Sequence, residues 1–403
     1  MSSRAALVVR SSPLSALAAT LLSVAPAAQS AVHVVDVAAG PGSDFTSLEA
    51  ARLAAADGDV LLVRGGFYDE TLLLGTKSLT VVAEDGFSVR LRGLEITGLA
   101  ADDHVLLRGL TTEGTSAPAL VASANAGAVW LEDCVLRGPE GFGNLAGGVE
   151  LDGCAHVVFS RCLLERALVP SGLAEATLAA TASGLVLHET EVRGPADTGA
   201  ALALHDASAE LTGSSLLGGD GFDGIALFCE GQDGGTGLRA TGSSSVERRD
   251  SVVSGGAGGQ GFGSCDDGLD GPAVEAAPGA LVPLAQDARS YGVPSPLREG
   301  QPLRVRLEGR ANDLVWLLVD LAPSAGLTPA FLDGLLLVGS TPQVVFYGAL
   351  PASGVEERDF LAPDLGPGVE ATAFVSQAVF REAGTGVFRA SSPTLVTVLD
   401  AAL

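Results

Sequence analysis

The sequence predicts an all-β chain in two parts, a solenoid of stacked coils followed by a small β-sandwich. One observation is a ten-residue phrase that returns five times: VLLRGLTTEG at 105–114, VWLEDCVLRG at 129–138, VVFSRCLLER at 157–166, LVLHETEVRG at 185–194 and AELTGSSLLG at 209–218. Its third positions, Leu107, Leu131, Phe159, Leu187 and Leu211, lie 24, 28, 28 and 24 residues apart. A strand-type phrase at that period cannot bury its own apolar side, so successive copies must stack to make a core. A second observation is composition: 47% apolar but only 5% aromatic, with 53 Gly and 20 Pro, suits many short strands joined by tight turns. The third is that the period stops near residue 301, where strand-like runs continue without it.

The chain of 403 residues is long enough for two cores. Its formal charge is −25, with Lys77 the single lysine. That excess repels phosphate backbones and disfavours nucleic acid as a partner. It also repels anionic polysaccharides unless a cation intervenes. Residues 1–30 read as a secretory signal peptide: Arg4 and Arg10 form a basic start, Leu14 to Val24 an apolar run, and Ala25-Pro26-Ala27 a small-residue cleavage region. Cleavage fits after Ala27 or after Ser30. No later stretch reaches the length of an apolar transmembrane span. The expected protein is therefore exported, with the five cysteines in an oxidising compartment. Cys229 and Cys265, in two Gly/Asp-rich loops, are the better disulfide pair. Cys134 and Cys162 share one column of the repeat, and Cys154, after Asp152-Gly153, is the odd one.

The mature chain opens with residues 32–86. Thr46 with Glu49 three positions on reads as a capping box, and Leu48, Ala51 and Ala55 share one side of a short helix ending at Asp57-Gly58. Strands at 60–63, 71–74 and 78–83 follow. A helix here covers the first rung of an open-ended stack, whose bare edge would otherwise recruit other chains. Asp44-Phe45-Thr46, the Ala-rich helix, Asp57-Gly58-Asp59 and the Gly66, Tyr68, Glu70 spacing resemble the opening of right-handed parallel β-helix proteins, the pectin-lyase-like superfamily, including its pectin methylesterase branch. The resemblance spans roughly residues 32–285 and implies a right-handed parallel β-helix for 31–285.

Within each phrase, strand alternation sends positions 1 and 3 inward. A two-residue bend at positions 4–5 then turns the chain so that positions 6 and 8 point inward again. Position 9 reads Glu113, Arg137, Glu165, Arg193, and position 5 reads Asp133, Arg161, Glu189 over the middle coils. Stacked coils place these charges over one another, and the alternating signs predict ion pairs running along the solenoid. Position 2, by contrast, should face outward yet reads Leu106, Trp130, Val158, Val186. Either a loop or the sandwich covers this stripe, or it is a ligand surface with Trp130 as a sugar-stacking platform.

The last coils carry Gly-rich acidic loops: GGDGFDG at 218–224, GQDGGTG at 231–237, GGAGGQGFG at 255–263 and CDDGLDG at 265–271. GGDGFDGIA fits a single copy of the calcium-binding nonapeptide, with no second intact copy after it. A looser Ca²⁺ site would use Asp220, Asp223, Asp233, Asp266, Asp267 and Asp270, since hard cations take six or more oxygens. The alternative is that these are turn residues. Residues 286–300, with their prolines, read as a linker. Strand runs within 301–403 (LRVRLEG, DLVWLLVDL, GLLLVG, QVVFYGAL, VEATAFVSQAVF, TLVTVLD) read as the sandwich, which looks like the Ig-like modules of secreted bacterial proteins.

The resemblance brings three chemistries: lyases using calcium with an Arg or Lys base, hydrolases using clustered aspartates, and methylesterases using two Asp, an Arg and Gln. No stretch matches their catalytic motifs, and Lys77 sits in the first rungs, so no residue is carried over as catalytic. His188 and His205-Asp206 lie on successive coils near Ser208 but lack a nucleophile elbow or a third metal ligand, and are expected as surface residues. The expectation is a secreted or cell-surface, monomeric, non-catalytic binding or structural module for carbohydrate or envelope polymer. The alternative is a polysaccharide lyase or glycoside hydrolase.

Overall fold

The computed structural model describes residues 30–139, 147–166, 176–195, 199–226, 228–284, 287–327, 331–339 and 341–403. The signal-peptide segment lies outside the described residues apart from Ser30. The chain is a parallel β-helix with a two-sheet cap laid along it. Ten strands, from Val32–Val35 to Leu281–Leu284, form one parallel row, one strand to a coil. A second sheet has two limbs that meet at Val89–Thr97. The first half of that strand pairs with Leu110–Glu113 and its second half with Leu120–Ser123. In the first row, Leu107 lies opposite Leu131, Leu131 opposite Phe159, Phe159 opposite Leu187, and Leu187 opposite Leu211. All five are fully buried in one continuous core. The repeat period is thus the coil.

The corner is tighter than the two-residue bend expected. Position 4 still belongs to the strand and faces outward: Arg108, Glu132, Ser160 and His188 each close one. Position 5 alone turns the chain, in the left-handed region, with φ of 73° at Gly109, 52° at Asp133 and Arg161, and 47° at Glu189. Side chains there cost roughly 1–2 kcal/mol each. The corner keeps the inter-coil bonds running, because Asp133, Arg161 and Glu189 N–H groups donate to the carbonyls of Ser160, His188 and Thr212. Position 6 then forms a ladder inside. The Cys162 N–H donates to Thr190 Oγ1 at 3.2 Å, the Thr190 N–H to Ser214 Oγ at 3.1 Å, and the Ser214 N–H to Ser251 Oγ at 3.0 Å. Cys134 and Cys162 occupy this column as buried free thiols, and burial pushes Cys162 well above the usual thiol pKa.

Helix α1, Leu48–Ala54, covers the first coil with Leu48 and Ala51 buried. Its N-cap is Ser47 rather than Thr46, and its oxygen accepts the Ala50 N–H at 3.3 Å. The carboxylate that answers the N-terminus is also different. Glu49 is engaged by Arg52 at 2.6 and 2.7 Å, while Glu70 from the following strand accepts the Leu48 N–H at 2.7 Å and the Glu49 N–H at 3.2 Å. A partial positive helix end draws the nearest free carboxylate, here one from a neighbouring rung.

The cap has a small antiparallel sheet of Ser290–Gly292, Pro302–Glu308 and Val355–Leu361. Its larger sheet contains Leu314–Asp320, Gln343–Ala349, Ala371–Arg381 and Phe388–Leu399. Tyr291, Leu307, Leu317, Phe380 and Val396 fill the space between them. Residues 286–300 are therefore not a free linker. Ser290–Gly292 joins the small sheet, and Leu297–Arg298 pairs with Phe388–Leu399. The prolines sit at the bends between these short edge strands, a placement that proline's missing N–H allows.

Candidate functional site

The larger cap sheet lies on the first row of the β-helix, and this contact decides the fate of the apolar stripe. Leu106, Trp130, Val158 and Val186 pack with Leu318, Leu337, Val375 and Leu395. Trp130 is 0% exposed, and its Nε1–H donates to Glu132 Oε2 at 3.2 Å. Of the two readings of the stripe, the sandwich as cover holds and the sugar platform at Trp130 is overturned: the indole is interdomain core.

Beside the stripe runs a column of buried charge. Glu132, fully buried, pairs with Arg108 at 3.0 Å and with Arg161, accepts the Leu395 N–H at 2.6 Å, and accepts the Thr394 hydroxyl at 2.6 Å. Arg108 also donates to the Leu395 carbonyl. A buried carboxylate is tolerable only when its lone pairs are all answered, and here two coils and the last cap strand answer them. His188 lies in this column and is buried rather than on the surface; burial first, then Arg249 and Arg161, pulls its pKa down to about 3. His205 is exposed, 3.4 Å from Asp206. One coil beyond Val186 the stripe ends at Glu210, 8% exposed. Its pKa is pushed up to about 7, chiefly by burial, with Glu247 and Asp333 adding and Arg249 and the Leu335 N–H opposing.

Ion pairs run from coil to coil along the exposed position-9 column, and join Asp133 to the largely buried Arg161 in the position-5 column. Arg137 reaches Glu165 at 2.6 Å and Glu113 at 3.8 Å, Arg193 reaches Glu165 at 3.4 Å, and Arg161 reaches Asp133 at 2.9 Å. These groups are spent on one another.

The glycine-rich loops form an arm of four extended segments, 218–224, 231–237, 255–262 and 265–271, folded as two hairpins side by side. Hydrogen bonds recur at every third residue. The Gly221 and Gly224 N–H groups donate to Ala257 and Gln260, those of Gly256 and Gly259 to Gly235 and Gln232, and those of Gly268 and Gly271 to Gly259 and Gly256. A three-residue period without ladder pairing is that of polyproline II chains, and a close-packed bundle of them leaves room only for glycine at the contacts. A Cβ on Gly256 would stand 1.9 Å from the Gly219 carbonyl oxygen. The Cys229–Cys265 disulfide joins the two hairpins as expected, with Cα atoms 5.6 Å apart.

The aspartates proposed for calcium have other work in this arm. Asp220 accepts the Ala257 N–H at 2.9 Å, Asp223 that of Gln260 at 2.8 Å and Asp233 that of Leu269 at 2.7 Å. Asp267 accepts the Gly261 N–H at 2.7 Å and Asp270 the Gly258 N–H at 3.0 Å. Together with Asp266 they do not converge: among the described residues no group of three or more His, Cys, Asp or Glu side chains could hold a metal ion. The outer segments of such a bundle have amides pointing away from it, and a carboxylate at its edge satisfies them. The spacing of Gly218, Gly221 and Gly224, and of Gly231, Gly234 and Gly237, was the signal in the sequence.

A cleft of about 410 Å³ lies where the coils meet the cap. Asp102, Asp103, His104 and His156 line it from the coils, and Asp320, Ser324 and Thr341 from the cap. His104 and His156 both register on Ala128, which places them two coils apart across an alanine floor, roughly 9–10 Å at the usual inter-strand spacing. Burial holds both imidazoles below their ordinary pKa, with Asp57 and Asp103 pulling the other way at His104. Both are therefore neutral at pH 7. Asp103 accepts the Ala100 N–H at 3.3 Å and Asp320 the Ala322 N–H at 3.5 Å. No Arg or Lys is among the lining residues. No sequence pattern marks this cleft, because half of its lining comes from cap residues more than 150 positions away.

No protein-family profile and no curated protein matches the chain. Among solved structures it is similar to the full-length tailspike protein 2 of Escherichia coli O157:H7 bacteriophage CAB120, at 10% identity and a TM-score of 0.29. The alignment covers 93% of this chain and 64% of the tailspike.

Proposed function

We propose that this chain is an extracellular β-helix protein that binds a neutral polysaccharide, without cleaving it, in the cleft between coils and cap. The observation that carries this reading is the lining of the cleft: neutral imidazoles of His104 and His156, carboxylates of Asp102, Asp103 and Asp320, hydroxyls of Ser324 and Thr341, and no cation. Such a set hydrogen-bonds hydroxyl groups and offers nothing to neutralise a uronate. The volume and the interdomain position suit a ligand of one or two sugar units. The Cys229–Cys265 disulfide supports an oxidising compartment. Binding is favoured over hydrolysis because glycoside cleavage needs two carboxylates free to flank the bond. Asp103 and Asp320 are each held by a backbone amide of their own loop.

The test is calorimetry and product analysis on neutral and uronate glycans, with and without Ca²⁺. The expected result is binding of neutral glycans only, insensitive to Ca²⁺, weakened at least tenfold by Asp320→Ala and by His156→Ala. Released oligosaccharides would overturn the non-catalytic reading, and unchanged binding in both variants would remove the cleft from it.

A further inference from the structure

The distal end of the glycine arm exposes large apolar side chains that belong to no core. Phe228 is 72% exposed, Ile225 57% and Phe262 53%, and Leu269 along the arm is 72% exposed. Local bonds gather the first three. Ile225 and Phe228 exchange backbone hydrogen bonds at 2.8 and 3.0 Å, and the Phe262 N–H donates to the Cys229 carbonyl at 2.7 Å, beside the disulfide. Among its described residues the arm has no hydrophobic interior from which these side chains could have escaped, since its segments touch through glycines and amide bonds. Holding bulky apolar groups in water on a cross-linked scaffold is the arrangement of an anchor for a partner, where rigidity lowers the entropy lost on binding.

The charge around these rings says what partner fits. Residues 218–237 and 255–271 contain Asp220, Asp223, Glu230, Asp233, Asp266, Asp267 and Asp270, and not one Lys or Arg. Apolar rings set in uniformly negative surroundings repel an anionic lipid surface and repel the same tip on a second copy of this chain. They match a polypeptide that presents apolar side chains among basic ones. We propose that the arm tip, Ile225, Phe228 and Phe262 around Cys229–Cys265, is a docking site for a cationic amphipathic segment of another protein. The rings supply the buried contact and the aspartates the steering.

The test uses the full chain and a labelled Leu/Lys amphipathic peptide as probe, with fluorescence anisotropy as readout. The same peptide with Lys replaced by Glu and vesicles of anionic lipid serve as the other arms. Phe228 and Phe262 are exposed, so the Phe228→Ser/Phe262→Ser double variant retains the fold, which hydrogen exchange of the arm amides verifies. The expected result is saturable binding of the Lys peptide, weakened at least tenfold in the double variant and severalfold by Glu230→Gln/Asp266→Asn, with no binding of the Glu peptide. Equal affinity in the double variant would reduce the interaction to bulk charge and overturn the proposal. So would equal binding of the Glu peptide or tight vesicle binding. Self-association in sedimentation that disappears in the double variant would assign the rings to a second copy instead, and would equally overturn it.

Discussion

The coils and the arm solve the same problem, stacking chain upon chain, by opposite means. In the coils the space between strands is filled by side chains such as Leu131, Phe159 and Leu187, each fully buried and contributing about 1.5–3 kcal/mol of transfer free energy. In the arm the segments meet backbone to backbone at glycines, so its cohesion comes from amide hydrogen bonds, to carbonyls and to aspartates, worth about 0.5–1.5 kcal/mol net apiece for the neutral ones. Glycine also costs more conformational entropy than any other residue. The disulfide offsets part of that cost, at about 2–4 kcal/mol for a typical cross-link. The coils therefore fail when an atom is removed, and the arm when one is added.

The sharpest way to break this contrast is a matched pair of substitutions. Phe159→Ala should lower the stability of the whole solenoid by about 3–5 kcal/mol in urea unfolding, through loss of apolar contact and the cavity left behind. Gly256→Ala adds a Cβ 1.9 Å from the Gly219 oxygen, so it should open the arm locally. Hydrogen exchange would then rise at Gly221, Gly259 and Gly271 while the coil amides stay protected. A global loss of stability from Gly256→Ala would show that the arm is not an independent unit.

A smaller effect belongs to the interface between coils and cap. Glu210 has a folded pKa near 7 against an ordinary value of 4.5, so between those pH values the folded protein keeps a proton that the unfolded chain has lost. Its contribution is therefore intact below about pH 4.5 and is lost as pH rises toward 7. Glu210→Gln should flatten that descending portion of the stability profile, measured by denaturant midpoints from pH 4.5 to 8. An unchanged slope would place Glu210 in better contact with solvent than its 8% exposure implies. The smallest expected change is at the exposed charge column. Arg137→Glu sets like charges beside Glu113 and Glu165, and should cost about 1 kcal/mol or less, diminishing with salt.

Much of the solenoid was legible because its information is repeated: a strand register written several times over can be read from spacing alone. The columns Glu113, Arg137, Glu165, Arg193 gave outward faces as well, since sign alternation has meaning only if the residues are stacked. The apolar stripe at Leu106, Trp130, Val158 and Val186 left cover and ligand surface both open, because the strands that cover it have no repeat to betray them. Residues 286–300 misled for a physical reason. Pro and Gly punctuate edge strands as readily as they punctuate linkers, and only long-range pairing separates the two. The aspartates misled because a carboxylate next to glycine serves a calcium ion or an amide equally well. Only the three-residue glycine spacing, read together over four segments, distinguishes a bundle from a metal loop.

The strand Phe388–Leu399 reaches back across the molecule. Leu395 contacts Arg108 and Glu132, the Pro393 carbonyl accepts from Ser160, and Glu370 at the head of the preceding strand holds the Val32 N–H. During synthesis the coils emerge long before this strand leaves the ribosome, so the row of leucine, tryptophan and valine lacks part of its cover until Phe388–Leu399 arrives. A chain cut short there would retain its coils yet offer that sticky row to its neighbours. Phe388–Leu399 is thus the strand that completes the cover of an otherwise aggregation-prone ribbon.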